Sequence, residues 1–411
     1  METVYFDNNI PRMLALNVLS RFTDEAAYWR FSPVRHTDVD EPEIPNPRWL
    51  KVKNRACGVC GSDINFVFAD KGARTFLAAL PGIPRKYLGH ELVGEVVEVG
   101  ADVACFEAGD RVTLRIDWPS CFQMEIEPPC PRCAAGSYML CENLGKKELA
   151  LTDNGGGFSP FMVVHRTQPF KVPPGLSDDE AILMEPLACA VHGVYKRVPG
   201  PGERVLVIGC GPIGLLTIAA VKALQPDALV HCVARYPFQA EMAVRMGADE
   251  VIADDECIYE SAAEATDARV CTGLLKNRIL LGGFDIILDS IGKDSTVQDS
   301  LRLLRGGGTL VIVGINFKPG RLDYSPVWHQ ELHLTGINCH AIEPDGRNSF
   351  EAAAGLLLEN RIDVSGMITH RYPLARFREA VETLQDKGRR GAIKVLIEHQ
   401  AGWQSRASSS R

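Results

Sequence analysis

No apolar run in the 411-residue chain is long enough to cross a bilayer, so no transmembrane helix is expected. The opening METVYFDNN has neither a basic n-region nor an apolar h-region, so no export signal is expected. There is no internal repeat and no low-complexity domain, which sets aside repeat architectures and long disordered segments. Basic charge is in deficit: 44 Lys and Arg stand against 52 Asp and Glu, for a net charge of -8. That balance argues against nucleic acid or an anionic membrane as the main partner. What remains is an ordinary globular composition, 46% hydrophobic and 23% charged, long enough for two or three domains and a large core. Thirteen cysteines without an export signal point to a reducing compartment, the cytoplasm, where thiols serve metal rather than disulfides.

The chain changes character along its length. As far as Pro186 it is rich in Gly and Pro with short β-like runs, at 49–56, 91–100 and 110–114, and reads as a β-rich domain. From Leu187 to Asn338 apolar strands alternate with helical stretches. RVLVIG (204–209), LVHCVA (229–234), FDIILDSIG (284–292) and GTLVIVG (308–314) are the strands, which predicts an α/β, doubly wound parallel sheet. The last part carries helices at 349–359 and over FREAVETLQDK, then a strand AIKVLIEH that is expected to return to the first domain. The expected division is 1–187 with 339–411 against 188–338. The polar tail WQSRASSSR is expected to be disordered.

Gly209-Cys210-Gly211-Pro212-Ile213-Gly214 is a G-x-G-x-x-G that follows a hydrophobic strand and opens a helix, the context in which the pattern holds a dinucleotide pyrophosphate. A carboxylate for the adenosine ribose is expected at the end of the next strand. Ala234 and Arg235 stand there instead. A guanidinium pairs with a 2′-phosphate where a carboxylate would repel it, so NADP is favoured over NAD.

Cys130-x-x-Cys133-x7-Cys141 has the spacing of a structural zinc lobe. Tetrahedral zinc needs a fourth ligand. Cys121 is favoured because thiolate is the better structural donor, with Glu127, at the tighter spacing, as its competitor. A second constellation, Cys60 in CGVCGSD, His90-Glu91 in LGHE and Glu185 in MEPLA, comes from separate segments. Each of its members has an ordinary structural explanation when taken alone. Together, beside the cysteine lobe and the glycine loop, they read as an open catalytic zinc site. Seven more cysteines, Cys105, Cys189, Cys210, Cys232, Cys257, Cys271 and Cys339, are expected to pack in the core.

GVCGSD (58–63), GHELVGEVVEVG (89–100), the cysteine lobe, EPLA (185–188) and VIGCGPIG (207–214) occur in an order and spacing that resemble the zinc-dependent medium-chain dehydrogenases, which include alcohol, sorbitol and threonine dehydrogenases. The resemblance implies a GroES-like β-rich catalytic domain, closed by the C-terminal segment, with a Rossmann domain between. It implies catalytic zinc on Cys60, His90 and Glu185, with Glu91 close enough to exchange with a metal-bound water. It also implies Asp63 behind His90 and Ser62 on the substrate oxygen, in a zinc-assisted hydride transfer between an alcohol and NAD(P). Two zinc ions per chain, a small-molecule alcohol or polyol substrate and a homodimer or homotetramer follow from the same likeness. Three features depart from it. Asn65 stands where many members have a relay histidine, the first lobe cysteine is displaced to Cys121, and the segment 256–283 is unusually elaborate. The leading expectation is a secondary-alcohol dehydrogenase acting on a polyol, sugar or amino alcohol. The competing one is a non-catalytic dinucleotide-binding or sensor protein on the same scaffold. A zinc-independent quinone or enoyl reductase would lack the cysteine lobe.

Overall fold

The computed structural model describes residues 1–20, 22–68, 83–115, 119–316, 318 and 320–399. The polar tail and most of the loop 65–86 therefore lie outside the described residues. The described chain divides into two units, Met1–Glu185 with Ile368 onward, and Pro186–Met367.

The first unit is built on a seven-stranded sheet. Trp49–Gly58 is its spine, with antiparallel partners in Glu91–Val99, Phe161–His165 and Lys394–Glu398. Arg111–Leu114 and Pro169–Lys171 extend one side and Ile368–Pro373 the other. The strand expected in AIKVLIEH is Lys394–Glu398, and pairing with Gly58 brings the C-terminal segment back onto the strand that leads to Cys60. Leu50, Val52, Leu92, Val96, Phe158, Val395 and Ile397 form the core of this unit and supply its main driving force. A small second sheet, ordered Val34–Asp38, Glu2–Asp7 and Arg85–Tyr87, packs with the helix Ile10–Leu19 at the chain start.

The second unit is a six-stranded sheet in which every pairing is parallel. Its order is Glu250–Ala253, Leu229–Ala234, Arg204–Ile208, Phe284–Asp289, Leu304–Ile312, His333–Gly336. Its two βαβ halves meet beside Arg204–Ile208, and ligands bind at the carboxyl ends of strands at such a switch point. Leu206, Ile208, Phe284, Ile287 and Leu310 are buried within it, as the near-continuous apolar strands require. The elaborate stretch 256–283 is a helix, Ile258–Thr266, followed by a two-stranded hairpin, Arg269–Thr272 with Arg278–Leu281.

Two expectations need adjustment. Residues 339–367 lie in the second unit rather than with the catalytic domain. His192 Nδ1 is 3.0 Å from Glu343, Arg245 donates to Ser365 at 3.2 Å, and Arg361 bonds the Ala223 carbonyl, so polar ties hold this stretch to the parallel-sheet unit. Nor are all the remaining cysteines core residues: Cys105 and Cys257 are exposed, while Cys189, Cys210 and Cys232 are buried as expected. The exposed pair lies outside the strands and helices.

Candidate functional site

In the first unit the strand Trp49–Gly58 ends just before Cys60, the N-cap of the helix Gly61–Val67. Asp63 sits at the third position of that helix, where its carboxylate can turn back to the cap. Its Oδ2 accepts from the Cys60 N–H at 3.0 Å, and its Oδ1 accepts from the Gly89 N–H at 3.1 Å. One buried carboxylate thus ties together the two segments that carry Cys60 and His90. The same Oδ1 lies 3.7 Å from His90 Nδ1, and Ser62 Oγ is 3.5 Å from Nε2 on the other side of the ring. The imidazole is held between them with Nε2 on the Ser62 side.

Cys60, His90 and Glu91 each offer a ligand atom within 4.8 Å of the others. The charges reinforce one another. Burial, the largest single influence, disfavours the Cys60 thiolate, but the charge and hydrogen bond of His90 together with the charge of Lys394 draw that thiol below its ordinary value. Burial likewise opposes a charged His90, yet Asp63 and Cys60 hold it well above the ordinary histidine range. A thiolate, an imidazole and a carboxylate preorganised at this spacing suit a divalent borderline-soft cation.

Glu185 is expected as the third protein ligand. It is buried on the helix Asp178–Tyr195 and its charge acts on His90, but it is not in the group of three. Glu91 is in that group, and it is also ion-paired with Lys394. Lys394 was missed in the sequence. It is 1% exposed, its Nζ donates to the Val59 carbonyl at 3.2 Å, and burial lowers its pKa. The available signal was a single lysine within an apolar strand that returns to the catalytic sheet.

The cysteine lobe forms a second centre. Cys121, Cys130, Cys133 and Cys141 bring their four sulfurs within 4.8 Å of one another, and Glu127 is not among them. Glu127 instead lines a small cavity with Arg48, His165 and Arg166. Cys130 caps the short helix Pro131–Ala134, so the Cys133 N–H reaches its sulfur at 3.4 Å. The Cys130 N–H and the Asn143 side-chain amide both reach Cys121 Sγ at 3.3 Å. Burial pushes Cys133 and Cys141 up, the latter to about 11, whereas at Cys130 backbone N–H donors and the neighbouring thiols together outweigh burial and hold it at about 6. Four crowded thiolates, three of them buried and the fourth, Cys141, half-buried, would repel one another. A tetrahedral zinc ion removes that conflict, and the donor set fits it.

In the second unit Arg204–Ile208 runs into the glycine loop and the helix Pro212–Leu224. Gly209 has φ of 90°. A Cβ on Gly214 would lie 1.7 Å from the Gly209 carbonyl oxygen, so only glycine permits this strand–helix contact. A Cβ on Gly211 would meet nothing within 4 Å, which is the open side a pyrophosphate needs. Pro212 and Ile213 begin the helix, whose N-terminal amides form an anion-binding end. Arg235 follows directly after Leu229–Ala234 with its side chain 67% exposed, and its Nε donates to Asp254 at 2.7 Å. Asp254 was also missed. It becomes visible only once Glu250–Ala253 is known to pair in parallel with Leu229–Ala234.

Comparison with known proteins agrees with these two units. Residues 46–174 match the alcohol dehydrogenase GroES-like domain, and residues 212–359 match the zinc-binding dehydrogenase domain. D-arabinitol dehydrogenase 1 of Uromyces fabae is 30% identical over 366 residues, covering 87% of this chain and 92% of its own. Sorbitol dehydrogenase of Halalkalibacterium halodurans is 28% identical over 366 residues, covering 88% and 95%. The crystal structure of a Sinorhizobium meliloti protein classed as a zinc-binding dehydrogenase, bound to NADP, is 30% identical. It superimposes with a TM-score of 0.66 over 89% of this chain and 95% of its own. With both domains matched and the likeness running through most of its length, the chain belongs to the zinc-dependent medium-chain dehydrogenase family and is an alcohol oxidoreductase.

Proposed function

We propose that this protein exchanges a hydride between a secondary alcohol, of the polyol, sugar or amino-alcohol class, and NADP in preference to NAD. The observation that carries the reading is the meeting of Cys60, His90 and Glu91 behind the Asp63 brace. A sensor that had lost its chemistry would have no need to keep that arrangement. The names of the relatives, arabinitol and sorbitol dehydrogenases, support the polyol class.

Cys60 and His90 would hold a catalytic zinc, with Glu185 as the third protein ligand and Glu91 beside it, neutralised by Lys394. Bound there, zinc would polarise the alcohol oxygen and make its proton easier to remove. The chain's own residues do the rest. Asp63 keeps Nδ1 of His90 on its own side, leaving Nε2 for the metal. Ser62, next to that nitrogen, hydrogen-bonds the substrate hydroxyl and passes its proton on. Asn65 cannot carry the proton further as an imidazole would, so the relay runs from Ser62 to water. The four lobe cysteines would hold a second, structural zinc. Arg235 would bind the 2′-phosphate, and Gly209, Gly211 and the amide end of Pro212–Leu224 the pyrophosphate. A cytoplasmic homodimer or homotetramer is the assembly we infer; among the described residues no helix is long and apolar enough to cross a membrane.

The test is nicotinamide absorbance with purified protein across polyols, sugars, simple alcohols and threonine, with NADP and NAD side by side and chelator controls. Turnover that prefers NADP and disappears with chelator is expected. Zinc-loaded protein that turns over nothing on the panel would put the sensor reading first.

A further inference from the structure

Arg235 and Asp254 are each the first residue beyond neighbouring parallel strands, Leu229–Ala234 and Glu250–Ala253. The register pairs Ala234 with Ala253, and the Asp254 N–H reaches the Ala234 carbonyl at 3.4 Å. The two side chains therefore leave the same carboxyl edge of the sheet at about one strand spacing, ~4.8 Å. Arg235 Nε donates to Asp254 Oδ2 at 2.7 Å, and the arginine side chain remains 67% exposed. The acid missing from the end of one strand is thus supplied by the next, but aimed at the arginine.

We propose that Asp254 is a specificity-determining residue for the cofactor, holding Arg235 side-on while its charge limits the affinity for a 2′-phosphate. Contact through Nε orients the guanidinium and leaves its fork of terminal nitrogens for a second acceptor. The same carboxylate carries negative charge into the region where a phosphate would sit. Orientation favours NADP and charge opposes it, so the pair leans toward NADP without excluding NAD. An uncompensated arginine would commit the site more strongly.

The inference rests on Arg235 as the residue that meets the 2′-phosphate, and the experiment separates the two. Adenosine 2′,5′-bisphosphate and AMP are titrated calorimetrically into the zinc-loaded full chain and into Asp254→Asn, Asp254→Ala and Arg235→Ala. Asparagine keeps an acceptor for Nε and removes the charge. It is expected to tighten the bisphosphate by roughly fivefold, the scale of one exposed charge–charge contact, and to leave AMP unchanged. Alanine removes orientation as well, so its gain is smaller than that of asparagine. Unchanged or weaker bisphosphate binding in Asp254→Asn, with Arg235→Ala still losing the preference over AMP, overturns the role of Asp254 and leaves Arg235 in place. Bisphosphate binding unaffected by Arg235→Ala overturns both.

Discussion

Replacing Lys394 with methionine tests the buried charge arrangement behind the candidate zinc site. Lys394 and Glu91 are 1% and 2% exposed, and their ion pair is supported by the hydrogen bond from Nζ to the Val59 carbonyl. Methionine is close in shape, so little packing volume is lost and the effect is mainly electrostatic. The carboxylate is left without its counter-ion, and the Val59 carbonyl without its donor. Breaking one side of a buried pair costs about 3–5 kcal/mol, whereas replacing both partners by apolar groups is often neutral. For a unit of this size that is a fall of roughly 6–20 °C in the midpoint of thermal unfolding. Lys394→Met, Glu91→Gln and the double variant should be followed by circular dichroism in zinc-loaded protein, with metal content measured in parallel. The double variant should recover much of the loss in Lys394→Met, with a coupling of at least 2 kcal/mol. A single variant that loses less than about 1 kcal/mol, the range of a surface pair, would refute the reasoning.

Three further outcomes follow from the same geometry. Cys121→Ser should lower zinc content from two ions per chain to one by elemental analysis, while Glu127→Gln keeps both; equal losses would reinstate Glu127 as the fourth ligand. Gly214→Ala sets a Cβ 1.7 Å from a backbone oxygen that cannot swing aside, so NADPH binding by fluorescence should be abolished with zinc content unchanged. Affinity within twofold of the parent would count against the close strand–helix contact. His165 is 3% exposed, and burial, helped by Arg166 and Arg48, depresses it to about 4. Its folded pKa lies below the unfolded value near 6.5, so its contribution is intact above that pH and lost as pH falls toward 4, by about 3 kcal/mol at most. Urea midpoints measured from pH 7 to 5 should fall less steeply in His165→Gln than in the parent, and parallel slopes would exclude this contribution.

Much of the molecule was legible because its signals are local. RVLVIG followed by G-x-G-x-x-G announces a strand, a tight turn and a helix from backbone sterics alone, and Arg204–Ile208 with Pro212–Leu224 realise it. The cysteine spacing likewise determines that three sulfurs can meet, since Cys130 caps the turn that carries Cys133. Thiolate chemistry then favoured Cys121, but only the folded loop shows its sulfur 3.7 Å from that of Cys141.

Long-range pairings were decided by tertiary structure. Nothing near Lys394 in the chain predicts Glu91. The antiparallel pairing of Leu396 with Gly58, and of Gly58 with Glu91, brings them together, and a lysine in an apolar strand has no meaning until that register is known. Asp254 is ordinary until parallel pairing sets it beside Arg235. The second unit ends at 367 rather than at the expected 338 for the same reason, since contacts between residues distant in sequence tie that stretch to it. By itself the sequence determined the chemistry available to this protein: a four-cysteine cluster, a mixed sulfur, nitrogen and oxygen constellation, and a dinucleotide turn. Which carboxylate gathers with Cys60 and His90 and which charge faces the arginine depended on strand register, a cooperative property of the whole sheet that no short segment encodes.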